Sequence, residues 1–203
     1  MPFTKHPRVA KALGRLAAMT AFGVLASSGV AAAATCQTQA TTTPFSQFGD
    51  NHNYFLVQGG SFAGSSLPAG WTANGASATT ATNAGSPDGN ALTIPAGGSV
   101  TTAYQCVDAT MPDMRFFAKQ AAAGSNLNVD VLVKLSSGTL TVPLGDLADG
   151  SMPAWAPTSA LSALNGLTMP AGLTVQAALR FSVPGNSGAW ELDDVYVDPY
   201  SFG

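Results

Sequence analysis

Apolar residues occupy every second position along much of this chain. Leu127, Val129, Val131, Val133 and Leu135 alternate with Asn128, Asp130, Leu132 and Lys134. Leu173, Val175, Ala177, Leu179, Phe181 and Val183 alternate with Thr174, Gln176, Ala178, Arg180 and Ser182. A period of two predicts antiparallel strands with one face in a core and one towards water. Leu140, Val142 and Leu144 predict a shorter strand after the turn Ser136-Ser137-Gly138. Further strands are expected over Tyr54–Val57, Ala91–Ile94, Ser99–Tyr104 and Met114–Ala118. Turn clusters separate them, among them Pro87-Asp88-Gly89, Pro95-Ala96-Gly97-Gly98 and Pro184-Gly185-Asn186. Many short strands at this spacing predict an all-β sandwich or barrel. The segment 158–167 reads equally as a short helix on Leu161, Leu164 and Leu167 or as an irregular strand.

The last strand breaks its own parity. Trp190 and Leu192 fall on one face, and Val195 and Val197 on the other. One extra residue at Asp193-Asp194 would turn all four inward, which predicts a β-bulge there. Such a kink would expose two adjacent carboxylates.

The first residues follow a different rule. Lys5, Arg8, Lys11 and Arg15 precede an apolar run from Leu16 to Val30 and then Ala31-Ala32-Ala33-Ala34. This reads as a secretory signal peptide, 1–34, followed by an N-terminal arm, 35–53, and a β-sandwich domain, 54–203. The expected location is therefore secreted and extracellular, with no transmembrane segment. Cys36 follows Ala33-Ala34-Thr35, a poor match to a lipidation site. Beyond residue 34 four cations and eleven acids remain, a net charge of −7, which argues against nucleic-acid binding. Cys36 and Cys106 are the only cysteines, and in an oxidising compartment they predict one disulfide.

Ordered motifs then carry a resemblance. Gly59-Gly60-Ser61-Phe62, Leu67-Pro68-Ala69-Gly70-Trp71 and Gly89-Asn90-Ala91-Leu92-Thr93-Ile94 are similar to the opening of jelly-roll carbohydrate-binding modules of the galactose-binding-like type. Ala189-Trp190-Glu191-Leu192-Asp193-Asp194-Val195-Tyr196-Val197 resembles their closing strand. The whole chain also resembles a group of uncharacterised secreted bacterial proteins of this plan, from which no function carries over. The resemblance implies an antiparallel two-sheet β-sandwich of jelly-roll type. It also implies a structural calcium joining the first strand to the last. Phe62 is followed by Ala63, so the acidic ligand usual at that point is missing, and Asp193 and Asp194 remain as candidate calcium ligands.

Catalytic chemistry finds little support. His52 is the one histidine after the signal segment, no Gly-x-Ser-x-Gly elbow accompanies it, and a zinc site lacks ligands. Glu191 is the only glutamate, and no acid pair is placed for glycoside hydrolysis. Trp71, Trp155 and Trp190 sit where sandwich domains bury aromatics, whereas Tyr104 and Tyr196 are better candidates for exposure. Arg115, Asp130, Lys134, Gln176 and Arg180 fall at polar strand positions, and neighbouring strands would gather them on one mixed-charge face, on which no Trp or Tyr is expected; Tyr104 is a further candidate for ligand contact. The expectation is a non-catalytic binding module for a carbohydrate or cell-envelope glycan. The alternative is a structural or adhesive surface protein that contacts other proteins.

Overall fold

The computed structural model describes residues 36, 39–75, 78–83, 86–108, 111, 113–162 and 174–198. The signal segment, Thr35 and the part of 158–167 beyond Ser162 lie outside the described residues. The strands are β1 (Phe55–Leu56), β2 (Thr72–Gly75), β3 (Thr79–Thr82), β4 (Asn90–Pro95), β5 (Gly98–Thr101), β6 (Gln105–Asp108) and β7 (Asp113–Ala122). They continue with β8 (Leu127–Leu135), β9 (Gly138–Leu147), β10 (Ala156–Pro157), β11 (Leu161–Ser162), β12 (Thr174–Val183) and β13 (Ala189–Asp198).

Two antiparallel sheets form an open sandwich. The first runs β10-β7-β13-β4-β3, with β1 on β13 and β11 on β7. The second runs β2-β5-β12-β8-β9, with β6 also on β12. Alternation does what it predicts. Leu127, Val129, Val131 and Val133 of β8 and Ala177, Leu179, Phe181 and Val183 of β12 all turn into the core. They meet Leu92, Ile94, Met114, Phe116, Trp190 and Leu192 from the first sheet. Phe116 and Phe181 touch edge to face across the gap, with centroids 5.1 Å apart. The antiparallel jelly-roll-type sandwich is therefore the fold. Leu161–Ser162 is a short strand, and the rest of that segment, Leu164 and Leu167 included, lies outside the described residues. No helix among the described residues is long and apolar enough to cross a membrane.

The bulge in β13 is present. The register against β7 shifts between Asp193 and Tyr196, and Trp190, Leu192, Val195 and Val197 are all buried. Val195 donates its N–H to the Gly60 carbonyl, and Val57 donates to the Val195 carbonyl. A Cβ on Gly60 would stand 3.0 Å from both the Val195 and Val57 oxygens, so the glycine permits this close approach.

The expected strand over Ser99–Tyr104 ends early, at Thr101, and a separate strand begins at Gln105. β5 and β6 both pair with β12, and residues 102–104 leave the ladder between them. Thr102 bridges the break: its N–H donates to the Leu179 carbonyl at 2.9 Å, and its Oγ1 accepts from the Leu179 N–H at 3.0 Å. Cys36 and Cys106 form the expected disulfide, which ties the arm to β6.

Candidate functional site

The outer face of the second sheet is built by the polar half of the alternation. Cross-strand register places Gln176 opposite Lys134, Ala178 opposite Leu132, Arg180 opposite Asp130 and Ser182 opposite Asn128. On one side Thr101 and Ser99 of β5 flank Arg180 and Ser182, followed by Thr72 and Asn74 of β2. On the other, Pro143, Thr141 and Thr139 of β9 extend the same rungs. Arg180 donates from Nε and Nη2 to Asp130 Oδ2 at 3.0 and 2.8 Å. Its side chain retains 37% exposure, so the guanidinium still has donors for a ligand. The Lys134 ammonium lies 4.8 Å from the centroid of the Tyr104 ring, a cation–π contact that holds the ring beside this face. Asp130, Lys134, Gln176, Arg180 and Tyr104 thus share one surface.

Arg115 does not join them. It lies on β7, in the opposite sheet, because β7 pairs with β13 and not with β8 or β12. The arm folds over that sheet: Thr42 bridges Tyr54, and Phe45, Tyr54 and Phe117 form a second apolar cluster joined by Trp155 and Tyr196. Arg115 is enclosed beneath it. Its Nη1 pairs with Asp50 Oδ2, its Nε donates to the Thr158 carbonyl at 2.8 Å, and its guanidinium lies over the Phe45 ring. Tyr54 donates its hydroxyl to the same Asp50 oxygen at 2.7 Å. Burial alone would raise the Asp50 carboxyl. The His52 N–H, the Tyr54 hydroxyl and Arg115 outweigh it and hold Asp50 at about 2. His52 itself is exposed, with Nδ1 2.9 Å from Asp50 Oδ1. This constellation is a clasp between arm and sheet. Tyr196 packs against Phe45, which corrects its reading as an exposed aromatic.

Asp193 and Asp194 depart from expectation as well. The bulge does not expose both carboxylates. Asp193 is fully buried and Asp194 half-buried, because the bulge turns towards the Gly59–Phe62 turn instead of solvent. Asp88, from the Pro87-Asp88-Gly89 turn before β4, completes a cluster whose ligand oxygens lie within 4.8 Å of one another. Asp193 Oδ1 accepts the Asp194 N–H, while its buried Oδ2 has no hydrogen-bond partner. Burial, then the charges of Asp194 and Asp88, push the Asp193 carboxyl up to about 8. Burial and Asp88 push Asp194 up to about 6. Asp194 has φ 47, a left-handed conformation that aspartate tolerates better than most residues. Three carboxylates and no nitrogen or sulfur form a hard-oxygen donor set that could hold a cation. Sequence reading missed Asp88, since a Pro-Asp-Gly turn is sufficient explanation for an aspartate.

Trp71 and Trp190 are core residues, 6% and 0% exposed. Trp71 donates from Nε1 to the Gln58 carbonyl and packs against Phe62, and Trp190 donates to the Ser125 carbonyl.

No protein-family model matches the chain, and no curated protein matches it. Solved structures do. The N-terminal CBM22-1–CBM22-2 tandem domain from Paenibacillus barcinonensis Xyn10C superposes with a TM-score of 0.54 at 12% identity, covering 83% of this chain and 49% of that one. The chain has the fold of jelly-roll carbohydrate-binding modules. The CBM22-1 xylan-binding domain of the same protein aligns over 70% of this chain and 93% of its own, at 13% identity and a TM-score of 0.49. The family 11 carbohydrate-binding module of the cellulosomal cellulase Lic26A-Cel5E from Clostridium thermocellum aligns over 82% and 99%, at 11% identity and a TM-score of 0.46.

Proposed function

We propose that this chain is an exported, non-catalytic binding module whose ligand is a polysaccharide or cell-envelope glycan, held on the outer face of the second sheet. The observation that carries the reading is the row of Gln176, Ala178 and Arg180 on β12 against Lys134, Leu132 and Asp130 on β8. Ala178 is covered, and the hydrogen-bonding groups flank the half-buried Leu132, an arrangement that suits a sugar chain with a hydroxyl edge and a C–H face. Arg180 is oriented by Asp130 before any ligand arrives, so little side-chain entropy is lost on binding. On the opposite sheet the arm and Trp155 pack over part of the outer face, and on the remaining part Lys119 is paired with Glu191 at 3.0 Å. The test is a binding panel of soluble and insoluble polysaccharides, peptidoglycan included. Saturable binding that Arg180→Ala or Gln176→Ala weakens is expected. Binding insensitive to both, or no binding by the folded protein, would overturn the assignment.

We further propose that Asp88, Asp193 and Asp194 hold a structural calcium. The buried, unpartnered Asp193 Oδ2 is the supporting observation: a carboxylate oxygen shut away from water and from donors is stabilised by a cation. The ion would join the β13 bulge to the turn before β4, with Asp88 supplying the acid that Ala63 does not. Its contribution would be to hold the sandwich together, with no part in catalysis.

The adhesive alternative draws on apolar side chains at the surface, Leu135 and Leu140 at the β8–β9 end and Phe48 and Leu56 on the other side. Surface apolar residues in ones and twos are ordinary, so the glycan reading is the stronger.

A further inference from the structure

Building on the carbohydrate reading, we propose a second sugar-binding pocket at the side of the sandwich, where the arm meets β6, shaped for one uncharged saccharide unit. A cavity of about 350 Å³ opens there, at the low end of the usual range for ligand pockets. Gln39 comes from the arm, Phe55 and Leu56 from β1, Gln58 from the turn after β1, and Tyr104 and Gln105 from the entry to β6. β1 belongs to the first sheet and β6 to the second, so the pocket spans both layers at their edge. It is distinct from the row on β12 and β8, and Tyr104 stands between the two.

The chemistry of the lining selects the ligand. Three glutamine side chains border the cavity, and among the described residues none of their amide groups has a hydrogen-bond partner. Each brings two donors and an acceptor oxygen, the pairing that a ring of adjacent hydroxyls requires. Leu56, 39% exposed, and the Tyr104 ring supply apolar surface for the C–H face of the sugar, with the buried Phe55 as the floor behind them. Among the described residues no charged side chain lines the cavity; the nearest charge established at its rim is the Lys134 ammonium, 4.8 Å from the Tyr104 ring. A purely apolar ligand would strip water from three amides without replacing it.

The pocket also has a built-in dependence on oxidation. Cys36 lies three residues before Gln39, and Cys106 directly follows Gln105. The disulfide between them brings the arm to this edge. The break between β5 and β6, closed by Thr102 on Leu179, lifts Tyr104 out of the ladder to the rim.

The test is titration of nitrogen-15-labelled protein with xylose, glucose and galactose and with their neutral β-linked hexasaccharides, read at the glutamine and asparagine side-chain amides. The expected result is saturable shifts of Gln39, Gln58 and Gln105. The double variant Gln39→Ala, Gln58→Ala should weaken that response about tenfold. Both positions are exposed, so the variant should keep its fold, which the unchanged remainder of the spectrum verifies. Arg180→Ala should leave these three signals responsive. Shifts confined to Gln176 and Asn128 would overturn the pocket and leave the sheet-face site standing. Absence of shifts at both sets would overturn both. Reduction of the disulfide should weaken the pocket response while the Gln176 response persists; equal loss at both would refute the arm's part in the pocket.

Discussion

Arg115 carries strand parity that should leave it in water, yet only 12% of its side chain is exposed. The arm decides this by placing Asp50, Tyr54 and Phe45 around it. Arg115→Ala would leave the Asp50 carboxylate with only the Tyr54 hydroxyl and the His52 N–H and should cost about 1.5–3 kcal/mol in chemical denaturation. Asp50→Ala, Arg115→Ala together should cost less than the single change, because neither charge is then left alone; a larger loss would contradict the clasp. The same carboxylate sets an acid limb. Its folded value of about 2 lies below the usual 3.8. Its stabilisation is therefore present above pH 4 and lost as the pH falls towards 2, amounting to about 2 kcal/mol. Asp50→Asn should flatten that part of the stability–pH curve, and an unchanged acid limb would count against it. Asp193 supports a second prediction at this scale. Calcium well above its dissociation constant should raise Tm by about 5 °C over a chelated sample. Asp193→Asn should abolish the difference, and identical wild-type melting with calcium and with chelator would remove the metal proposal.

At the scale of elements, β13 and the β5–β6 pair behave differently. The bulge in β13 was legible because four large apolar residues could be buried together only if the period slipped by one. Its location near Asp193 followed from the same count. The direction in which the carboxylates then pointed was not legible, since it depends on Gly60 and Val57 receiving Val195 on the far side of a turn. The break after Thr101 left no mark in the alternation, because Thr102 replaces ladder bonds with bonds of its own. The disulfide acts on the same edge. It closes a separation of 70 residues, which in the chain-entropy model contributes about 4 kcal/mol. Cys36→Ala, Cys106→Ala should lower the urea midpoint accordingly with little change in the core signals of Trp190. A variant as stable as the parent would show that the arm is held by the Asp50 clasp alone.

For the whole molecule, the two sheets are unequal. One has part of its outer side packed by Phe45, Tyr54 and Trp155 and carries the Lys119–Glu191 pair on the rest, and the other leaves Gln176, Arg180, Asp130 and Lys134 uncovered by the arm. That inequality, more than any single residue, makes the second sheet the candidate surface, and the polysaccharide panel with Arg180→Ala tests it at this scale. Alternation along β8 and β12 was sufficient to predict a sandwich or a barrel, because a buried face enforces period two wherever a strand lies on a core; the choice of sandwich rested on the resemblance to jelly-roll modules. The same pattern fixed the inward residues of β13, and the two cysteines left only one disulfide to form. Partnership between strands was a different matter. Local sequence says which way a side chain leaves its strand, but not which strand lies beside it, since pairing depends on chain segments far apart. Tertiary structure therefore decided that Lys134 and Arg180 share a face while Arg115 lies across the core. It also brought Asp88 to Asp193 across more than a hundred residues of chain, and set Gln39 beside Tyr104 at one edge.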